Sequence, residues 1–296
     1  MKRRSIVKIT QNPWNNGFLG PGHQAKAVLD GVSREYRDPF ILFMDDRLDL
    51  PGGDPVGGPH PHAGFETLTL VLEGNGKDWQ TGSFEIMTAG KGIVHTEEIE
   101  TPETLHILQV WLALPPEKRY EEPRLQRILL EDVPKIKTEK SEIRVYSGYS
   151  NGLHSPIQNH TPLTLVDFYL QPGATVYQAL PAHYNGFIYV LDGAVKVGDQ
   201  LISDGQTGWF EKWQEEGESE VTFEATESAT HFVLYAGKPH HAPFVQHGPF
   251  VADSMDDISQ MYRKFRLGLY PHVNDLPSDR VIEYHPHDKA EGAVIL

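Results

Sequence analysis

His60-Pro61-His62-Ala63-Gly64-Phe65-Glu66-Thr67, followed further on by Met87-Thr88-Ala89-Gly90-Lys91-Gly92-Ile93-Val94-His95-Thr96-Glu97, decides how this chain is read. His60 and His62 are spaced i and i+2, which on an extended strand points both imidazoles to one face. His95 and Glu97 repeat the spacing with one imidazole and one carboxylate. Two adjacent strands that each send two such side chains inward converge on one ion. Three imidazoles and one carboxylate leave one or two positions open on a six-coordinate metal, close to the arrangement of non-haem Fe(II) centres. Three imidazoles disfavour hard cations such as calcium. A buried set of three His and one Glu also needs compensation for its polarity, and a metal supplies it.

Working outward, short apolar runs are punctuated by Gly, Pro and Asp. Phe40–Met44, Thr67–Leu72, Leu105–Leu114, Leu163–Leu170, Phe187–Leu191 and His231–Tyr235 read as strands of an all-β barrel or sandwich. Thr69-Leu70-Val71-Leu72-Glu73-Gly74 resembles Ile188-Tyr189-Val190-Leu191-Asp192-Gly193, and a charged, proline-bearing segment from Glu117 to Lys140 lies between them. Two copies of one barrel follow, divided near Pro134 into 1–133, which carries the metal ligands, and 134–296. One helix is expected near 254–267 of the second part. Ser254 can cap it, Met255, Ile258, Met261, Tyr262 and Phe265 form its apolar stripe, and Gly268 ends it.

Composition sets limits. The 296 residues carry a formal net charge of -15, which repels nucleic acid, and Lys2-Arg3-Arg4 is too short a basic cluster to offset that. There is no cysteine, so disulfides, thiolate ligands and cysteine nucleophiles are excluded. No signal peptide and no membrane-length apolar run is read, so a cytoplasmic protein without membrane contact is expected. A monomer is the working expectation.

Other histidines fare differently. His285-Pro286-His287 has the same spacing but sits in a polar, proline-rich stretch and is read as a solvated tail. The side chains of His240 and His241 would diverge on a strand. Aligning Gly193 on Gly74 puts Ala179 and Pro181 where His60 and His62 stand, so the second barrel is expected to hold no metal, and His183 and His231 are read as structural or surface residues.

The two quoted segments, with Asp38-Pro39-Phe40 upstream and Gly248-Pro249-Phe250-Val251 before the helix, resemble the pirin family of the cupin superfamily. The resemblance implies tandem cupin (jelly-roll) barrels, with iron in the first held by His60, His62, His95 and Glu97. It implies that Glu66, a ligand in many other cupins, lines the pocket instead; Met44 and Phe65 are the other pocket candidates. Bacterial pirins include quercetin 2,3-dioxygenases, whereas animal pirins are nuclear cofactors of transcription factors. The chain departs from the family in a short Asn75–Glu85 connection, expected to open one side of the pocket, and in Leu70 where a Tyr is common.

Two functions are therefore weighed. One is a dioxygenase acting with O2 on a flavonol or another enol-bearing aromatic, with Glu97 as both ligand and base. The other is an iron-binding, redox-responsive regulator acting through a protein partner. An accessible pocket beside the metal favours the first and a sealed site the second. Imidazole and carboxylate also accept nickel, manganese, copper or zinc.

Overall fold

The computed structural model describes residues 2–50, 57–76, 79–97, 99 and 103–285. Among these the chain is built from strands, with one helical turn at Arg34–Arg37, one helix at Met255–Arg266 and short 3-10 turns. The six apolar runs expected as strands fall in Phe40–Leu50, Phe65–Glu73, Glu103–Ala113, Leu163–Leu170, Asn185–Asp192 and Thr230–Gly237, with only Leu114 of the third run beyond its strand. None of the described helices is long and apolar enough to cross a membrane.

The chain divides into two compact units, but not at a single cut. One comprises residues up to 13, 28–41 and 133–241; the other comprises 14–27, 42–132 and 242 onward. This grouping by contacts differs from a simple 1–133 and 134–296 partition. The reason lies in the apolar stripe of the Met255–Arg266 helix. Ile258 and Met261 bury against Ala63, Phe250, Ala252 and Tyr270, so the helix packs in the unit that carries His60 and His95. Ser254 caps the helix by accepting from the Asp257 amide at 3.2 Å.

In the unit containing 133–241, a seven-stranded sheet runs from Lys135–Lys137 through Leu163–Leu170, Thr230–Gly237 and Asn185–Asp192 to Ile6–Gln11. A second sheet is built around Glu218–Ala225. Side chains of both sheets fill the space between them: Val166, Phe168, Ile188 and Phe232 from one, Leu180, Val195, Val221 and Phe223 from the other. Ala179 and Pro181 lie on the Thr175–Pro181 strand, and no metal-binding side-chain cluster occurs in this unit among the described residues. His231 bonds Asp167 at 2.6 Å, and His183 stands 3.2 Å from Glu216.

The other unit holds an eight-stranded sheet in the order Val281–Tyr284, Arg124–Ile128, Phe84–Thr88, Phe65–Glu73, Glu103–Ala113, Phe40–Leu50, His23–Ala27, Asn15–Asn16. His60–His62 and Ile93–His95 form a separate two-stranded ribbon. The C-terminal segment fastens that ribbon through its backbone. The Ala63 amide donates to Pro249 O at 3.3 Å, Val251 N to Ala63 O at 2.9 Å, and Val94 N to Pro271 O at 2.9 Å.

The approach at Gly64 is close enough to need glycine. Its φ is +88°. A Cβ there would lie 1.8 Å from Val251 O. Gly64→Ala should therefore cost about 2 kcal/mol or more, combining left-handed strain with overpacking against a carbonyl. Gly58→Ala, whose Cβ would meet open space, is the control. Thermal melts of the metal-free proteins decide it: a Gly64→Ala midpoint equal to that of the control would refute the constraint.

Candidate metal centre and cavity

The ribbon's register places His60 directly opposite His95, with His62 opposite Ile93. One ring nitrogen from each of His60, His62 and His95 lies within 4.8 Å of the others. The Nε2 atoms of His60 and His95 are 2.8 Å apart. Ligand nitrogens about 2.1 Å from an ion and at right angles to each other would be about 3.0 Å apart, so this spacing suits two neighbouring ligands. His60 Nδ1 lies 3.0 Å from Gly58 O, so Nδ1–H donates there and Nε2 keeps its lone pair for a cation.

Burial sets the protonation of the other two rings. Loss of hydration, then the charge of His60, lowers the His62 pKa to about 3, with the Pro249 backbone opposing. His95 is lowered to about 2 by burial and then by His62, His60 and His272. Both are neutral at pH 7, as metal ligation requires. Packing holds the His62 ring: Phe65 and Trp111 each lie 5.2 Å from it and stack on each other at 4.3 Å.

Glu97 follows the ribbon rather than sitting in it. Its amide donates to Gly57 O at 3.0 Å, and its Oε2 reaches to 3.7 Å from His60 Nε2. Gln109 Nε2–H donates to Glu97 Oε1 at 2.7 Å and fixes the carboxylate's orientation. Desolvation raises the Glu97 pKa, and His60 and the Gln109 bond oppose it. Three imidazoles and an adjoining carboxylate make a donor set that suits a divalent transition metal. Sequence reading missed Gln109. It belongs to no motif, and its role arises from pairing with Thr69 across the sheet.

Beside this centre lies a cavity of about 600 Å³. His95, Thr96 and Glu97 form part of its wall, with Thr69, Glu85 and Arg127 beyond them. Met44, Phe65 and Glu66 are not on the wall of this cavity, and neither are His60 and His62. Glu66 is fully buried and accepts from Thr88 Oγ1 at 2.7 Å. Alternation along Phe65–Glu73 puts Glu66 on the face opposite Thr67 and Thr69. Phe65 is taken up by the His62–Trp111 contacts, and Met44 pairs with Ala27.

The short connection after Gly74 does not simply open the cavity: Trp79 and Gln80 stand on its wall, and Asn75 bridges Gln80. The C-terminal segment is not a solvated tail up to His285. Val281–Tyr284 pairs in parallel with the Arg124–Ile128 strand, and Glu283, Tyr284 and His285 line the cavity. Pro286 and His287 lie outside the described residues.

Two jelly-roll units, one with a His-rich centre and one with an apolar interior, define a bicupin. Residues 23–112 match the family model described as Pirin, and residues 165–271 that of the Pirin C-terminal cupin domain. The chain belongs to the pirin family. Human Pirin is 35% identical over 261 residues, covering 83% of this chain and 88% of that protein. A pirin-like protein of Solanum lycopersicum is 34% identical over 277 residues, covering 90% and 92%. Among solved structures, GK1651 from Geobacillus kaustophilus is similar with a TM-score of 0.72 at 35% identity, covering 82% of this chain and 100% of that one. A quercetin 2,3-dioxygenase from Acinetobacter baumannii is similar with a TM-score of 0.77 at 25% identity, covering 90% and 98%.

Two outcomes follow for the centre. Elemental analysis should find about one transition-metal ion per chain in wild type and in His287→Ala, and far less in His62→Ala. Full occupancy in His62→Ala would remove it from the ligand set. The second outcome concerns pH. A His62 pKa lowered from 6.5 to about 3 on folding means the unfolded chain binds more protons between those values. Stability of the metal-free protein should therefore fall as pH drops below about 6.5, by linkage. In His62→Leu the loss between pH 7 and pH 5.5 should shrink, as read from midpoints at both values. An unchanged loss would show that His62 is not the group responsible.

Proposed function

We propose that this protein is a metal-dependent dioxygenase, with iron as its ion, that opens the heterocyclic ring of a flavonol such as quercetin. One observation carries the reading: two of the four candidate ligands, His95 and Glu97, form part of the wall of a cavity of about 600 Å³, within the size range of small-molecule sites. The similarity to a protein named as a quercetin 2,3-dioxygenase supports the choice of substrate. His60, His62, His95 and Glu97 would hold the ion, which supplies Lewis acidity and electron exchange with O2. In the overall reaction both atoms of O2 enter the product and one ring carbon leaves as carbon monoxide.

The remaining chemistry falls to the chain. A flavonol reacts through its enolate, so a base must take the hydroxyl proton. Glu97 is the carboxylate of the candidate ligand set, and its raised pKa makes it a better proton acceptor near neutrality. Gln109 engages Oε1, which leaves Oε2, the oxygen facing His60, to receive the proton. Phe65 and Trp111 keep the His62 ring in place and the surrounding dielectric low. His60 remains 35% exposed at its side chain. A regulatory ion site read by a protein partner would need neither that exposure nor the adjoining cavity.

Glu97→Gln should retain most of its metal and lose about 10²–10⁴-fold in flavonol turnover, the usual effect of removing a general base. Oxygen uptake and quercetin consumption, normalised to metal content, provide the test. Wild-type rates in metal-replete Glu97→Gln would take the base role from Glu97. Absence of flavonol turnover by metal-replete wild type would sink the dioxygenase reading itself.

A further inference from the structure

His272 takes no part in the reading above, yet its ring lies against the residue between His95 and Glu97. It is held there by backbone: Val94 N donates to Pro271 O at 2.9 Å, and Val94 and His272 form a parallel bridge. Each ring nitrogen of His272 has a partner. Nδ1 accepts from the Asn274 amide at 3.2 Å, where the ring caps the Val273–Asp275 turn. Nε2 lies 2.9 Å from Thr96 Oγ1.

Together these contacts settle the direction of the second bond. An amide N–H pointing at Nδ1 requires a lone pair there, so the neutral ring carries its proton on Nε2. Nε2–H therefore donates to Thr96 Oγ1. Since that oxygen is an acceptor towards His272, the hydroxyl proton of Thr96 points elsewhere. Among the described residues no acceptor for it is found. Thr96 lines the cavity. The wall thus sets a hydroxyl donor, Thr96, beside a carboxylate acceptor, Glu97.

That pair is the complement of a particular grouping. A molecule with an acidic enol hydroxyl next to a carbonyl presents one donor and one acceptor side by side. We propose that Thr96, oriented by His272, donates to the substrate carbonyl adjoining the hydroxyl that gives its proton to Glu97, and so selects hydroxy-enones over phenols or alcohols that lack the carbonyl. This rests on the dioxygenase reading and names the element of substrate it recognises. Thr96 touches substrate; His272 is a positioning residue.

The test is equilibrium binding to metal-loaded protein without oxygen, followed by quenching of intrinsic fluorescence, with metal content measured for each variant. Quercetin carries the hydroxyl and the carbonyl; catechin keeps the hydroxyl and lacks the neighbouring carbonyl. Thr96→Val should weaken quercetin binding about tenfold, the upper range for one neutral hydrogen bond, and change catechin binding by less than about twofold. Thr96→Ser should bind quercetin like wild type. His272→Phe should reproduce the loss, and His272→Gln, whose amide N–H can still donate to Oγ1, should restore affinity. In turnover with oxygen, the Thr96→Val deficit should fall mainly on KM.

Wild-type quercetin affinity in Thr96→Val, or equal losses for quercetin and catechin, would overturn the proposal while leaving dioxygenase activity intact. The selective loss in a protein that binds but never consumes flavonols would instead uphold the Thr96 donor and overturn the enzymatic reading.

Discussion

The ribbon that carries three candidate ligands is short, and it does not hold itself. His60–His62 and Ile93–His95 pair over three residues and stand apart from the eight-stranded sheet. A two-stranded ribbon of that length has little stability of its own in water. What positions it is a backbone seam to the C-terminal segment, running from Pro249 and Val251 to Pro271. Gly64 permits the approach, and the helix buries Ile258 and Met261 behind it. Alignment of three imidazoles within 4.8 Å of one another therefore depends on contacts made nearly two hundred residues later in the chain.

Electrostatics and packing then act in one direction. Burial strips His62 and His95 of their protons and raises the proton affinity of Glu97. The same burial penalises these polar groups where nothing pairs them, a cost that a cation held by them would offset. Hydrogen bonds remove the remaining freedom: Gly58 O on His60, Gln109 on Glu97, His272 on Thr96. Each fixes an orientation that the liganding atoms alone would leave open.

Much of this was legible in the sequence, and the limits of legibility have physical causes. The i, i+2 spacing of His60/His62 and His95/Glu97 needs only local strand geometry, and the strands end where glycine and proline end them. The face of Glu66 was not readable from His62, because Ala63 and Gly64 break the strand between them and reset the alternation. Gln109, His272 and Glu283 come to the cavity region by register or by long-range return of the chain, for which single residues carry no signature. The same long-range return explains why contacts group the helix with residues that precede Pro134. The charged segment there marks one crossing between units, while Pro13, Ala27, Ile41 and His241 mark others that carry no compositional change.

The C-terminal seam has a temporal consequence during synthesis. All four candidate ligands have been translated once Glu97 is added, but the partners that hold the ribbon are not complete until Pro271 and His272 follow. At ordinary elongation rates that interval is on the order of ten to thirty seconds. Through it the nascent chain carries a His-Pro-His segment that no seam yet orders, able to meet metal ions without the final geometry. The geometry of the candidate centre is therefore set only after residues 249–272 have been made, long after the histidines themselves.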